Sequence, residues 1–260
     1  MNSSLLNEDL TNMVCLTVDV EWASPAVLQD TVALLDERNL QATFFCTHPH
    51  INVNGHEMAI HPNFRRDGDI LKNLHNEIGN ELYNLTDREI YQHIIKKVKN
   101  FCPEAVGVRA HNLFFDSGLL SVYQQAGLKY DSSCFLPMAP GLRPIWKEND
   151  ILEMPIYYMD HVDLMYQKSG FVLEGLRLNQ PGMKVFDFHP NMIFLNAATE
   201  IQYLESKPYY HDYEHLLSLR RSGLGIRTLF IELLDYIKNE KLATATLSEI
   251  NAAYRKIKCK

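Results

Sequence analysis

MVCLTVDVEW, residues Met13 to Trp22, decides how the rest of the chain is read. Met13 to Val18 is a short apolar run with β-branched residues, the profile of a strand buried on both faces. It stops at two carboxylates, Asp19 and Glu21, with Val20 between them. On an extended backbone, residues two apart share a face. Both acids are therefore expected to leave the carboxyl end of a central strand together, the end at which α/β folds hold their ligands. Two anions that close need a cation, a shared proton or open water. A metal ion with one acid as ligand and the other as base satisfies them, and so does a solvated strand end.

Outward from this stretch, Ser24-Pro25 fits an N-cap and first-turn proline. Apolar residues at helical spacing follow (Val27, Leu28, Val32, Leu34, Leu35), then a second strand at 42–46. A strand, helix, strand unit implies parallel strands joined by a right-handed crossover. A third strand, 57–60, ends at His61-Pro62, where proline interrupts the ladder. Residues 65–84 read as an irregular polar stretch. Thr86 and Glu89 form a capping box ahead of a helix with an Ile90, Ile94, Ile95, Val98 face. Further strands are expected at 105–111, 151–158, 184–189 and 243–247, with helices over 118–126 and 226–239 and a basic helix at the end. Residues 197–225, rich in Tyr and His, read as an insertion or lid. The repeated β-then-α pattern, with polar residues at strand ends, favours a closed or partly closed parallel barrel over an open sheet.

The bulk numbers narrow the class. A chain of 260 residues suits one barrel domain, expected over 13–260 behind a flexible tail at 1–12. The content, 46% hydrophobic and 22% charged, is that of a soluble globular protein. A net charge of −7 argues against a nucleic-acid or anionic-membrane surface. No apolar run approaches the roughly 18–20 residues of a membrane span. The N-terminus lacks the basic start and apolar core of a secretory signal. Five cysteines without a C-x-x-C pair suit free thiols in a reducing compartment, so the expected location is cytoplasmic.

Taken in order, the strand ends carry Asp19/Glu21, His61, Arg109/His111, Asp160/His161 and His189. The series TVDVEW, GHEMAIHPNF, VRAH followed by YDSS, and FHPN resembles the polysaccharide deacetylases, from about Met13 to Asn191. These are metal-dependent carbohydrate esterases on a distorted (β/α) barrel that remove N- or O-acetyl groups from sugars. The resemblance implies Asp19 as general base, Arg109 as the arginine that orients it, and His189 as the acid that protonates the leaving group. It implies Glu21 and His61 as metal ligands. It also departs from the family at Arg65, which stands where the second metal histidine is expected four residues after His61. A cation cannot replace a ligand, so His111 is the candidate for the vacant place, with His75 and His161 as weaker ones.

Trp22, Asp131, Asp160 and His161 are candidate substrate contacts, and Trp146 is a second tryptophan able to stack on a sugar ring. His56, five residues from His61, faces the other side of its strand and is expected to be structural. The implied cofactor is a divalent ion, zinc first, with cobalt, nickel or manganese as alternatives. The implied partner is an acetylated saccharide, which a cytoplasmic site would meet in nucleotide- or lipid-linked form. Two rival expectations stand beside this one. The first is a metal-independent hydrolase of cyclic amides on the same fold, favoured by Arg65. The second is a non-catalytic saccharide-binding relative.

Overall fold

The computed structural model describes residues 10–65 and 67–258. The strands are β1 (Val14–Asp19), β2 (Ala42–Cys46), β3 (Glu57–Ile60), β4 (Gly107–Val108), β5 (Tyr130–Asp131), β6 (Ile145–Trp146), β7 (Leu152–Glu153), β8 (Ile156–Met159) and β9 (Lys184–Phe188). They form one sheet in the order β6-β7-β5-β4-β3-β2-β1-β9-β8. All neighbours are parallel except the β6–β7 pair. Only Met154 and Pro155 separate β7 from β8, yet β7 pairs with β5 near one end of this order and β8 with β9 at the other. The chain thus ties the two sides together and the sheet must roll up. A bridge between Phe135 and Ile156, with Leu136 N–H on Ile156 O at 3.0 Å, helps to close the seam. This is a distorted (β/α) barrel.

The helices alternate with the strands as expected, and their caps explain where they start. In α1 (Pro25–Asp36), Ser24 Oγ accepts from Val27 N–H. α2 (Asp69–Ile78) precedes α3 (Asp87–Lys99), whose Thr86/Glu89 capping box forms in full. α4 (Ser117–Gln125) and α5 (Asp160–Tyr166) follow. After β9 come α6 (Pro190–Leu195), α7 (Glu200–Ser206), α8 (Tyr213–Ser218), α9 (Ile226–Asn239) and α10 (Leu247–Lys258).

The alternation along β1 and β9 decides where the site lies. Val14, Leu16 and Val18 face outward into a core shared with α1, α6 and α9. Met13, Cys15, Met183 and Val185 face inward and pack with Phe45, Tyr130 and the Leu247/Ile250 face of α10, which closes the amino end of the barrel. Continuing along the same inward face gives Thr17 and Asp19 on β1, and Asp187 and His189 on and just beyond β9. The interior is therefore apolar below and charged above.

Several expectations need correction. Residues 65–84 are not irregular: Leu71 and Leu74 bury one face of α2 and a 3-10 turn covers Gly79–Asn84. The strand expected at 243–247 reduces to one bridge, Thr244 to Val14, because Thr246 turns the chain into α10 by pairing with Glu249. The strand expected at 105–111 is only Gly107–Val108, and the one at 151–158 is split at Pro155, which has no N–H for the ladder. The insertion at 197–225 contains α7 and α8. Of the expected tail, residues 1–9 lie outside the described residues, while Leu10–Asn12 form a 3-10 turn with Leu10 buried and Asn12 Oδ1 accepting from Gly182 N–H (3.1 Å). Cys15, Cys46, Cys102 and Cys134 are free; Cys259 lies outside the described residues. Among the described residues, no helix is long and apolar enough to cross a membrane.

Candidate active site

Arg109 anchors the charged end of the barrel. Its side chain is wholly buried and its guanidinium stacks 4.2 Å from the Phe45 ring centroid. Nε donates to Ser132 O (2.9 Å) and Nη2 to Ser132 Oγ (2.9 Å). Nη1 faces Thr17 Oγ1 (2.8 Å), Asp19 Oδ1 (2.8 Å) and Asp187 Oδ1 (2.6 Å). Burial raises the Asp187 carboxyl to about 8 against the pull of Arg109. Burial opposes ionisation of Asp19 too, but Arg109, His61 and His189 outweigh it and hold that carboxyl below its ordinary value. The expected orienting role of Arg109 has a concrete geometry: it fixes Oδ1 and leaves Oδ2 directed toward His61 Nε2, 3.6 Å away.

Glu21 reaches the same region by a route that strand alternation does not describe. β1 ends at Asp19, Val20 N–H bonds Phe45 O (3.1 Å), and Glu21 and Trp22 both take left-handed backbone angles, φ 47° and 55°. Such angles cost about 1–2 kcal/mol per non-glycine residue. Here they are held by Ala23 N–H on Val20 O (2.9 Å) and Trp22 N–H on Thr47 Oγ1 (3.2 Å). The turn sets Glu21 Oε1 2.7 Å from His111 Nδ1 and 3.2 Å from His61 Nε2. Burial would raise the Glu21 carboxyl, but hydrogen bonds from His111 and His61 hold it well below the usual range.

His61 follows β3, pinned by its N–H to Cys46 O (2.9 Å), and its Nδ1–H donates to Arg109 O (2.8 Å). His111 is fixed by its N–H to Pro62 O (3.0 Å). Burial lowers the basicity of His61, and Asp19 and Glu21 more than restore it.

These three side chains fit a divalent ion. Donor atoms of Glu21, His61 and His111 lie within 4.8 Å of one another. The Nδ1–H bond of His61 to a backbone carbonyl fixes the tautomer and turns Nε2 toward the site, the usual support of a metal-bound imidazole. Two imidazoles and a carboxylate are a donor set of catalytic zinc and related ions. Arg65 does not belong to it: its guanidinium is exposed and paired with Asp67. A second group, Asp19, Asp187 and His189, is also tightly clustered, but Arg109 already occupies its centre and leaves no room for a cation.

Across the cleft, His189 stands at the end of β9 ahead of Pro190. Asp160 holds it twice, accepting from Nδ1–H (2.6 Å) and from the backbone N–H (2.7 Å). Burial depresses the basicity of His189, but Asp160 more than offsets it and the imidazole is raised well above its ordinary value. Nε2 is the nitrogen left for the cleft.

Asp19, Glu21, His111 and His189 share a cleft of about 360 Å³ with Trp22, Arg65, His161, Tyr203, Lys207 and Tyr210. The Trp22 ring meets His111 edge-on at 5.4 Å. Trp22 and His161, expected as substrate contacts, are therefore in the cleft. Asp160 is not: it is fully buried and spent on His189. Nor is Asp131, which is buried between Ser133 and Lys147. Trp146 lies against Arg255 and Lys258 of α10, away from the cleft. His56 is structural as expected, its Nδ1 accepting from Ala42 N–H (3.2 Å). His75 stacks edge-on against Tyr83 and does not line the cleft. Asp187, Tyr203, Lys207 and Tyr210 were not singled out as site residues in the sequence. An acid inside the apolar run KVFDF, two before His189 and so on its face, was the signal for Asp187.

A family profile described as "WbmS-like: Polysaccharide deacetylase" matches residues 16–207. Among solved structures, the chain is similar to a candidate polysaccharide deacetylase involved in O-antigen biosynthesis from Bordetella bronchiseptica. Identity is 26%, with 87% of this chain and 91% of that chain covered and a TM-score of 0.72. It is similar at TM-scores below 0.5 to the peptidoglycan deacetylase PdaC from Bacillus subtilis (10% identity, 95% of this chain and 94% of that chain, TM-score 0.48). It is similar at that level also to BA3943, a CE4 family pseudoenzyme from Bacillus anthracis (13% identity, 93% and 66%, TM-score 0.46). No curated protein matches the chain.

Proposed function

The chain belongs to the WbmS-like polysaccharide deacetylases, and from that premise we propose that it is a metal-dependent hydrolase removing an acetyl group from an N- or O-acetylated saccharide. One observation carries this reading. Asp19, fixed by Arg109, and His189, fixed by Asp160, face a common cleft beside the Glu21/His61/His111 cluster. A base and an acid, each with its own buried partner, suit hydrolysis better than simple binding.

Glu21, His61 and His111 would hold the ion, which supplies acidification of a water and polarisation of the acetyl carbonyl. Asp19 takes the proton of the attacking water on Oδ2, while Arg109 keeps Oδ1 and the carboxylate plane in place. His189 delivers the proton of its Nε2 to the departing amine or alcohol. Asp160 stabilises the imidazolium until then and holds the ring at the required angle. Tyr203, Tyr210 and Trp22 supply the aromatic walls that suit the apolar faces of a sugar ring.

Glycoconjugate biosynthesis is supported by the O-antigen role described for the Bordetella bronchiseptica relative. A cytoplasmic stage of it is supported by the free thiols of Cys15, Cys46, Cys102 and Cys134. The metal-free alternative rested on Arg65, and the cluster of two histidines and a carboxylate apart from Arg65 favours the metal-dependent reading. The test is acetate release from a panel of acetylated sugars and sugar nucleotides. Asp19→Asn and His189→Ala should each lower it by about 10²–10⁴-fold with the fold intact. Near-normal rates in both variants would overturn the assignment.

A further inference from the structure

Both acids that line the cleft are already engaged: Asp19 pairs with Arg109, and Glu21 belongs to the cluster that would hold the ion. Two cations on the walls have no such duty. Lys207, between α7 and α8, lies over the Tyr203 ring (5.1 Å) and makes no ion pair with an acid among the described residues. Among the described residues the Arg65 side chain pairs with Asp67 alone, and the two side chains are 59% and 69% exposed. A pair that open to water is held weakly and is readily exchanged for a better anion. Both cations line the same cleft as Asp19 and His189, in a chain whose net charge is −7.

A neutral acetylated sugar would give Lys207 no anionic partner and leave Arg65 with its exposed one, Asp67. We propose that this cleft takes an acetylated saccharide bearing an anionic group, a carboxylate or a phosphate, and that Lys207 and Arg65 are the residues that select it. This rests on the deacetylase reading and deepens it. The guanidinium of Arg65 offers a forked pair of donors suited to either anion. The ammonium of Lys207 offers a point charge on the wall formed by Tyr203 and Tyr210, whose hydroxyls bond each other at 2.6 Å. Both residues lie outside the base, the acid and the ligand cluster, so they act on binding and not on the bond that breaks.

The experiment compares three probes: N-acetylglucosamine, its uridine diphosphate derivative and an N-acetylhexosaminuronic acid. Equilibrium binding is measured by titration calorimetry on Asp19→Asn protein, and acetate release on the wild type. The wild-type pocket should favour at least one anionic probe over the neutral one by about tenfold or more. That preference should shrink as salt rises and fall in Lys207→Met and Arg65→Gln. Preference for the diphosphate or for the uronate identifies the source of the anion. Equal affinity for all three probes, no binding of any, or a preference untouched by both substitutions would overturn the proposal. Failure of the deacetylase reading looks different: anionic probes bind in a Lys207- and Arg65-dependent way, but the wild type releases no acetate.

Discussion

Both carboxylate oxygens of Asp160 are committed to His189, one to its Nδ1–H at 2.6 Å and one to its backbone N–H at 2.7 Å. Asp160 is fully buried behind the ring, so its charge acts on the imidazole with little screening. Asp160 thereby favours the protonated form of His189, the form that the proposed role as acid requires.

Asp160→Asn removes that charge. The pKa of His189 should fall, and the alkaline limb of the kcat/KM profile should move to lower pH. The sign follows from the raised native value: protonation is favoured in the folded state, so the associated stability is full below about 6.5. It is lost as pH rises through the higher folded value. In Asp160→Asn the stability-versus-pH curve should therefore lose its decline on that side. An alkaline limb that stays in place would show that His189 is not the group titrating there.

Arg109 is a buried structural anchor and, on the proposed mechanism, also orients the base. Arg109→Ala would strand Asp19 in a dry interior, at a cost of about 3–5 kcal/mol in urea unfolding. Arg109→Lys keeps a charge but loses the fork that reaches Ser132 and Asp19 at once. It should unfold with a smaller loss of stability while kcat falls sharply. Equal loss of stability in both variants would mean that charge alone matters little at this position.

The two tryptophans should separate cleanly. Trp22→Ala should raise KM for the saccharide, since its ring lines the cleft. Trp146→Ala should leave KM alone and instead loosen α10, whose Arg255 and Lys258 lie over its ring at 5.0 and 3.9 Å. The loss there is about 1–2 kcal/mol in thermal or urea unfolding. A KM effect from Trp146→Ala would contradict this division.

Arg65 stands where the family resemblance implies a metal ligand, yet it sits on the cleft wall paired with Asp67. Arg65→Ala should retain the same metal content as the wild type. Loss of metal in this variant would reassign the site.

The barrel could be read from the sequence where local and global signals agree. β1, β2 and β9 are apolar runs ended by polar residues, and α1 and α3 announce themselves by Ser24-Pro25 and by Thr86/Glu89. α2 was missed because its polar residues outnumber its buried ones, although Leu71 and Leu74 lie three apart and Gly79 follows its end. The expected strand at 243–247 failed because the Thr246/Glu249 capping pair competes for the same backbone. At the site, Asp19, His61, Arg109, His111 and His189 converge as expected. Glu21 converges for another reason: a left-handed turn at Glu21–Trp22, with no glycine to betray it, replaces the extended backbone. Asp160 and Asp131 are charged residues at strand ends, a position that by itself does not distinguish a substrate contact from a buried support. That distinction depends on neighbours remote in sequence, His189 for one and Lys147 for the other.

Glu21, His61 and His111 are proposed to hold one divalent ion, and elemental analysis of the purified protein by plasma mass spectrometry measures it. The wild type should carry close to one equivalent of zinc or a similar ion, and His61→Ala and His111→Ala should each lose it while remaining folded. No metal in the wild type after reconstitution, or full retention in both variants, would contradict the account.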